Sequence, residues 1–311
     1  MESLNRMAIE LVDEALEYAE DLNIGAVELD NGATAIDFGV DFDGGIEAGL
    51  LLTEIQTAGL ATVQSRMDTL EGAPLPYVDV STDQPGLALL GAQKAGWEVS
   101  VDGYEALGSG PARALVAREP EFQALEYVDA FDLTVLSLEA ADLPTAAVAE
   151  HVADLTDIDP SGVYLPTVPT ASLSGSVALA GRAPEIALFR LFELGYDPTK
   201  VIAASGTAPV APVPATEQTA IARVNDALAY GGQVHLVVTE DDPVFEELPS
   251  TMTSRHGRPF EAVLAEADWD FYEIDESVFA PAEVTVDVVG GPTHHYGDVD
   301  TELLAESFGL A

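Results

Sequence analysis

The chain has 311 residues with 55 acidic and 11 basic side chains, a formal net charge of -44 at neutral pH. A surface with this charge repels polyanions, so we expect neither nucleic acid nor a membrane as a partner. Such self-repulsion is tolerated where molar salt shortens the Debye length to about 3 Å, which predicts a cytoplasmic protein of a halophile. The absence of cysteine excludes disulfides and thiolate chemistry, and no apolar stretch reaches the roughly 18 residues of a membrane span.

The first part of the chain alternates helical and strand patterns. Apolar residues at helical spacing predict an amphipathic helix over residues 2–22, capped by Ser3. Asp30-Asn31-Gly32 separates two alternating segments and predicts a β-hairpin. The patterns that follow predict, in order, a helix over 44–58, strands over 60–64 and 77–81, a helix over 86–95 and a strand over 97–101.

The second part continues this alternation after a polar stretch at residues 119–130. We expect that stretch to connect two domains, 1–125 and 126–311. Neither domain need be continuous in sequence. The remaining patterns predict strands over 133–138, 163–168, 201–204, 233–239 and 283–289, and helices over 145–155, 182–194, 216–230 and 259–267. The mixture predicts an α/β (mixed α+β) fold in which helices cover the sheets.

A glycine-rich turn at residues 108–112 is predicted to begin a helix, with Ser109 or Gly110 near the N-cap and Pro111 in the first turn. Free backbone N–H groups at such an end attract anions, and Arg113 would add a full charge. An ordinary capped helix with Arg113 in an ion pair explains the same residues. The third glycine of a dinucleotide-binding fingerprint and the Gly-Lys-Ser/Thr ending of a P-loop are both missing.

Residues 166–181 contain no charged side chain, which predicts burial or the lining of a cleft in so acidic a chain. Arg182 and Glu185 follow at i, i+3 spacing, and Pro184 suits the first turn of a helix. A carboxylate held beside an arginine at a helix start is kept ionised, which suits a general base acting near a cation. A local ion pair without a catalytic role is the alternative.

Two further features have structural explanations as good as functional ones. Residues 205–214 contain three prolines and predict a rigid extended loop, which could form a pocket wall or a plain connector. The five histidines, His151, His235, His256, His294 and His295, form no His-Glu-x-x-His motif, so no metal site is expected. No Gly-x-Ser-x-Gly motif indicates a serine hydrolase.

Several short motifs in a fixed order resemble the methenyltetrahydromethanopterin cyclohydrolase family. They are Ala35-Ile36-Asp37-Phe38-Gly39-Val40, Gly44-Gly45-Ile46-Glu47-Ala48-Gly49-Leu50, Gly59-Leu60-Ala61-Thr62-Val63, Ala92-Gln93-Lys94-Ala95-Gly96-Trp97, Gly108-Ser109-Gly110-Pro111-Ala112-Arg113-Ala114, Gly206-Thr207-Ala208-Pro209 and Val278-Phe279-Ala280-Pro281-Ala282. The resemblance extends from the first helix to Glu306-Ser307-Phe308-Gly309-Leu310.

This resemblance implies a two-domain cyclohydrolase-type fold with an interdomain cleft, a homotrimer, and a hydrolase without metal or cofactor. Its substrate would be the methenyl bridge of methenyltetrahydromethanopterin or methenyltetrahydrofolate, opened by water to the formyl form. It implies that Glu185 activates the water and that Arg182 positions Glu185. Candidates for binding the substrate or a phosphate are Lys94, Ser109, Gly110, Arg113, Ser172, Ser174 and Thr207.

A protein of another class could keep the same fold and cleft. A non-catalytic pterin-binding or scaffold protein would need the cleft but not the ionic pair. The presence of both Arg182 and Glu185 argues for the enzyme.

Overall fold

The computed structural model describes residues 2–254, 256–267, 269, 274 and 278–310, which form two compact units. The first unit contains Met1–Ala61 and Leu87–Ala178, and the second contains Thr62–Gly86 and Leu179–Ala311. The chain therefore passes between units three times, and the polar stretch 119–130 that was expected to connect domains lies inside the first unit.

Helices and strands are numbered in chain order over the described residues. The α-helices are α1 (Leu4–Glu17), α2 (Ala19–Leu22), α3 (Ile46–Gln56), α4 (Ala112–Val116), α5 (Pro120–Leu125), α6 (Ala146–Thr156), α7 (Leu173–Ala180), α8 (Ala183–Glu193), α9 (Glu217–Gly231), α10 (Phe260–Glu266) and α11 (Thr301–Phe308). The strands are β1 (Gly25–Glu28), β2 (Thr34–Asp37), β3 (Thr62–Leu70), β4 (Ala73–Thr82), β5 (Ala95–Val101), β6 (Tyr104–Ser109), β7 (Thr134–Val135), β8 (Ser137–Glu139), β9 (Val163–Val168), β10 (Val201–Pro209), β11 (Gln233–Val238), β12 (Glu283–Val288) and β13 (Thr293–Gly297). A π-helix spans Gly86–Gln93, and short 3₁₀ turns span Pro160–Gly162, Pro198–Lys200, Pro243–Glu247 and Ser250–Met252.

The locally encoded elements are confirmed. The Ser3 hydroxyl caps α1 by accepting the N–H of Arg6 at 3.1 Å, although the predicted helix is divided at Tyr18 into α1 and α2. The predicted hairpin is the antiparallel pair β1 and β2. The mixed α/β fold with helix-covered sheets is also confirmed, because both units combine a mixed sheet with helices.

Several elements differ from the predictions. Strands β6 and β13 and helices α5, α7 and α11 were not predicted. The strand expected over 201–204 continues to Pro209, so the first half of the expected extended loop is paired in a sheet. His294 and His295, which follow a Gly-Pro sequence typical of turns, lie in β13.

The sheet of the first unit is covered on both faces. Its strand order is β1-β2-β9-β8-β6-β5, with β7 also paired to β9. The consecutive residues Val135 and Leu136 belong to different apolar clusters, one built on α1 and α3 and the other on α6. Because neighbouring side chains of an extended segment point to opposite faces, the two clusters lie on opposite sides of the sheet.

The sheet of the second unit has one apolar face. Its order is β13-β12-β11-β10-β4-β3, in which the pair β11 and β12 is parallel. Along β11 and β12, buried and more exposed residues alternate strictly. Helices α8 and α9 contact β10, where Ala204 and Ala208 are buried. The apolar face is therefore the face that carries these helices.

The opposite face of this sheet, which we call the open face, carries polar side chains aligned across the strands. The first polar row consists of Gln64, Asp79, Thr207, Gln233 and Glu283, each paired with the next. The second polar row consists of Thr62, Ser81, Ser205, His235, Thr285 and His295, paired in the same way.

A buried carboxylate joins three helices of the second unit. Asp226 on α9 is 1% exposed and accepts hydrogen bonds from the Phe260 N–H at 2.8 Å and from the Ser307 hydroxyl at 2.6 Å. Burial, aided by the nearby Glu261, raises the pKa of Asp226 to about 6, against the two hydrogen bonds that lower it. The carboxylate thus links α9 to α10 and α11, and its ionised form is disfavoured.

We expect this group to make the folded state less stable as the pH rises from about 4 to about 6. In that window the folded protein retains a proton that the unfolded chain has lost, and folding therefore becomes less favourable as the pH approaches the folded pKa. Asp226→Asn removes the titration, so its stability relative to the wild type should improve by up to about 3 kcal/mol across the window.

Urea unfolding of both proteins in molar salt, at several pH values, measures this difference. Asp13→Asn, which makes the same change from carboxylate to amide at an exposed position of α1, is the control. A wild-type minus Asp226→Asn difference that stays constant with pH would contradict the prediction.

Within the described residues, every helix is too short or too polar to traverse a bilayer.

Candidate functional site

Arg182 and Glu185 form a buried ion pair at the start of α8. The Arg182 Nη1 donates to the Glu185 Oε2 at 3.2 Å, and the two residues are only 6% and 4% exposed. The charge-free stretch before them is almost entirely buried, as its composition predicted. Removing one partner of such a buried pair generally lowers the free energy of unfolding by about 3–5 kcal/mol, because the other charge is then buried without a partner.

Local sequence explains why the pair forms. Arg182 occupies the N-cap of α8, and its carbonyl accepts the N–H of Ile186 at 3.0 Å. Pro184 lies in the first turn, where its missing N–H has no cost. Glu185 follows one position later, so its carboxylate lies at the positive end of the helix. Helix geometry then brings residues three apart onto one face.

Arg182 and the start of α8 together hold the negatively charged carboxylate of Glu185 at a position that solvent barely reaches. The guanidinium and the helix start both favour the ionised carboxylate, and a carboxylate of this kind can accept a proton from a water molecule. It can also stabilise a nearby cation, because charges interact more strongly where water is excluded. The arrangement suits a general base that acts near a positive charge.

A close approach between a strand and a helix fixes the position of this pair. A Cβ atom at Gly206 of β10 would lie 2.7 Å from Cδ and 3.0 Å from N of Pro184. Only glycine therefore allows the first turn of α8 to pack on β10 in this way. A glycine in the middle of a strand indicates such a close approach. The sequence analysis placed residue 206 in a loop, and therefore did not predict the contact.

If the pair acts in catalysis, we expect Gly206→Ala to lower kcat by up to about 100-fold. The added methyl group must push the start of α8 away, and a displacement of about 1 Å at reacting groups can cost this much. Ser65→Thr adds one methyl group at an exposed position of β3 in the same sheet and should leave kcat unchanged. Steady-state kinetics of the three proteins test this. A Gly206→Ala protein with wild-type kcat would show that the contact does not position the pair.

Thr207 does not lie beside this pair. Its neighbour Gly206 faces Pro184, so the Thr207 side chain points to the open face, where its hydroxyl accepts a hydrogen bond from Arg66 Nη2 at 3.3 Å. The structure therefore places Thr207 in the first polar row.

Arg113 and Lys94 lie in the first unit and make structural contacts there. The Arg113 side chain is fully buried and donates to the carbonyl groups of Leu90 at 3.2 Å and Lys94 at 2.9 Å, and to Glu119 at 3.0 Å. The Lys94 ammonium contacts Glu121 and Glu119. Arg113 therefore provides hydrogen-bond donors for the last carbonyl groups of the π-helix. This agrees with the alternative stated above, in which Arg113 forms an ion pair beside an ordinary capped helix.

The expected anion-binding turn before Arg113 has a different structure. Ser109 is the last residue of β6 and is paired with Ala95 and Ser137, so it does not cap a helix. The N–H of Gly110 donates to the carbonyl of Ala92 at 2.8 Å, and Pro111 is the N-cap. The prediction of Ser109 or Gly110 as the N-cap was wrong, and α4 has only five residues.

Ser172 and Ser174, also in the first unit, use their hydroxyl groups in local bonds. The Ser172 hydroxyl donates to the Pro169 carbonyl at 2.7 Å and accepts the Gly175 N–H at 3.0 Å, which caps α7. The Ser174 hydroxyl accepts the N–H of Gly45 at 3.0 Å, at the start of α3. Of the residues predicted for the site, the structure thus brings Arg182 and Glu185 together.

The described ranges contain no group of three or more His, Asp or Glu side chains placed to hold a metal ion. The two adjacent histidines of β13 have separate partners. His294 bonds Asp241 at 2.8 Å, and His295 pairs with Glu283 at 3.1 Å.

Comparisons with known proteins cover the whole chain. A family model described as Cyclohydrolase (MCH) matches residues 3–308. Methenyltetrahydromethanopterin cyclohydrolase of Halobacterium salinarum is 61% identical over 311 residues, which is 100% of both chains. The enzymes of the same name from Methanospirillum hungatei and Methanothermobacter marburgensis are each 42% identical, over 313 residues (99% of both chains) and 320 residues (100% of both chains).

Proposed function

The chain belongs to the cyclohydrolase family, and we propose that it hydrolyses the methenyl bridge of a tetrahydropterin to give the formyl derivative. The names of its relatives favour methenyltetrahydromethanopterin, and methenyltetrahydrofolate is the second candidate. The observation that carries the mechanism is the buried pair of Arg182 and Glu185 at the first turn of α8.

The reaction adds water to a cation. The bridging carbon shares a positive charge with two nitrogen atoms, and water attacks it. Glu185 takes one proton from the attacking water, which leaves a tetrahedral carbon bearing a hydroxyl group. Glu185 then passes that proton to the departing nitrogen, the carbon–nitrogen bond breaks, and the hydroxyl group loses its proton as the formyl carbonyl forms. One water is consumed and one proton is released.

Arg182 acts through Glu185. Its guanidinium fixes the orientation of the carboxylate and favours the ionised form between proton transfers. We propose no role in binding for Arg113, because its guanidinium is engaged by backbone carbonyl groups and Glu119.

We also propose that the reaction needs neither a metal ion nor an organic cofactor. The substrate already carries the positive charge that a metal would otherwise supply, so a base and a negative field near the carbon are sufficient. The resemblance to the family further supports a cytoplasmic homotrimer.

The test is the loss of methenyl absorbance when the purified protein is added to each pterin in molar salt. We expect methenyltetrahydromethanopterin to decay faster than its blank, with the same rate after dialysis against a chelator. Whichever pterin decays faster identifies the substrate. If neither decays faster than its blank, the enzymatic proposal fails and the pterin-binding alternative replaces it.

A further inference from the structure

We infer that Glu139, in the first unit, binds the aminopyrimidinone ring of the pterin. The inference rests on the proposed function, because it takes the pterin as the ligand, and it adds the residue that recognises the ring. Glu139 is the last residue of β8, and its side chain is partly buried. Three features support the inference: its place in the sheet, the hydrogen bonding of its carboxylate, and the donors that the ring offers.

Strands β2, β9 and β8 are the parallel centre of the first sheet. Strand β9 pairs in parallel with β2 on one side and with β8 on the other, so the three carboxyl ends lie at one edge. From that edge β8 leads to α6, and β9 leads to α7. Helix α6 packs in one apolar cluster, whereas Ala178 of α7 packs in the cluster on the opposite side of the sheet. Adjacent parallel strands whose helices lie on opposite sides leave a crevice at their carboxyl ends, where ligands of open α/β sheets bind.

The Glu139 side chain lies at this crevice. Glu139 is paired with Val168, the last residue of β9. Leu138 packs in the cluster of α6, so the next side chain takes the opposite face, on the side of α7. There the Glu139 Oε1 accepts a hydrogen bond from the Thr170 hydroxyl at 2.5 Å. Thr170 is 2% exposed, so a buried hydroxyl holds the carboxylate in place.

The carboxylate of Glu139 has hydrogen-bonding capacity left for a ligand. Among the described residues Thr170 is its one partner, and an ionised carboxylate has sites for about four donors. Asp37, at the carboxyl end of β2, is the opposite case. Its two oxygen atoms accept four backbone N–H groups of the loop that follows, two of them from Gly39 at 2.8 Å and Asp41 at 2.7 Å. Of these two acids at the carboxyl edge, Glu139 is therefore the one that can bind a ligand.

The loop that carries Thr170 is fixed by its own contacts. The Ser172 hydroxyl donates to the Pro169 carbonyl at 2.7 Å and accepts the Gly175 N–H at 3.0 Å. A Cβ atom at Gly175 would collide with the Pro169 carbonyl, so the loop closes tightly on the start of α7. A group that is held before binding loses less conformational freedom when the ligand arrives, which favours affinity.

The pterin ring offers the donors that this carboxylate can accept. A ring N–H and an exocyclic amino group lie on adjacent atoms of the aminopyrimidinone and point the same way. A carboxylate accepts such a pair through two parallel hydrogen bonds, as it does from arginine. An anionic part of the substrate is repelled by Glu139, so the end of the substrate that binds here is the end with donors.

Glu139→Gln tests the contact, because the amide keeps one acceptor oxygen and loses the charge. We expect KM for the methenyl pterin to rise about tenfold to 100-fold, as for a lost bond to a charged group, with kcat within about threefold of the wild type. Glu54→Gln makes the same change at a partly buried position of α3 and should keep the wild-type KM. A folded Glu139→Gln protein with the wild-type KM, or with a fall in kcat larger than the rise in KM, would overturn the inference.

Equilibrium dialysis with tetrahydromethanopterin and with tetrahydrofolate separates this inference from the proposed function. Both pterins have the ring but no methenyl bridge, so they bind without reacting and without its positive charge. We expect Kd to rise in Glu139→Gln by the same factor as KM. An unchanged Kd beside a raised KM would place Glu139 at the methenyl cation and overturn the inference, as would a wild type that binds neither pterin. A wild type that binds a pterin but does not hydrolyse its methenyl form would end the proposed function alone.

Thr170→Val provides the test if Glu139→Gln does not fold, because it keeps the carboxylate and removes the hydroxyl that holds it. Thr170 is a positioning residue, so Kd for the same pterins should rise about twofold to tenfold, as for a lost neutral hydrogen bond, with kcat unchanged. Thr156→Val removes a buried hydroxyl of α6 that donates to the Val152 carbonyl at 2.8 Å, and it should leave Kd unchanged. Equal Kd values for the wild type and Thr170→Val would overturn the inference.

Discussion

Glu185→Gln is expected to lower kcat by about 100-fold to 10,000-fold, the range over which a positioned general base contributes. Glutamine keeps the size of the side chain and an oxygen that can accept the bond from Arg182 Nη1, now 3.2 Å long. It cannot take a proton from water, and it removes the negative charge near the reacting carbon. Both effects act mainly on the transition state, so kcat should fall much more than KM changes.

Asp226→Asn is the matched control for this substitution. It makes the same change from carboxylate to amide, also at a buried position of the second unit, but Asp226 bonds to α10 and α11 and not to the ion pair. Its kcat should equal that of the wild type. Thermal unfolding of each variant in molar salt shows whether the protein is folded at the assay temperature.

The result against the mechanism is a folded Glu185→Gln protein whose kcat lies within tenfold of the wild-type value. The buried pair would then be a local ion pair without a catalytic role, which is the alternative stated in the sequence analysis. If Asp226→Asn also lost activity, the fall in Glu185→Gln could not be assigned to the base. Measuring both proteins in one assay separates these outcomes.

The contact between Arg182 and Glu185 was predictable because it is local, whereas the packing of Pro184 on Gly206, which positions the pair, is not. Pro184 favours the start of a helix at this point. Arg182 and Glu185 are three residues apart, so the helix brings them onto one face. The structure confirms their contact at 3.2 Å. The chemical role of the pair stays a prediction, since it depends on the substrate.

The errors occurred where pairing between distant segments decides the structure. Ser109 looks like a helix cap in its local sequence, but pairing with Ala95 and Ser137 keeps it in a strand. Thr207 was placed in a loop, and a loop gives no prediction of which face a side chain takes. Once β10 pairs with β4 and β11, the alternation sends Gly206 to Pro184 and Thr207 to the opposite face.

Arg113 shows the same limit, since its function depends on a network that no local pattern contains. A glycine-rich turn followed by an arginine is typical of anion binding as well as of a capped helix. In the structure the guanidinium fills the space beside Gly96, where a Cβ atom would lie 2.5 Å from Arg113 Nε. It therefore joins the end of the π-helix, the start of β5 and Glu119.

Arg113→Met is expected to lower the free energy of unfolding by about 3–5 kcal/mol, the cost of breaking a buried ion pair. Methionine fills similar space but leaves Glu119 without its buried partner and the carbonyl groups of Leu90 and Lys94 without a donor. Arg118→Met, five residues further on and exposed, removes the same charge from the surface and should change stability by less than about 0.5 kcal/mol. Urea unfolding of the three proteins in molar salt measures both values. A structural role also requires that the folded Arg113→Met protein keep the wild-type KM, whereas a stable variant with a greatly raised KM would restore the anion-binding interpretation.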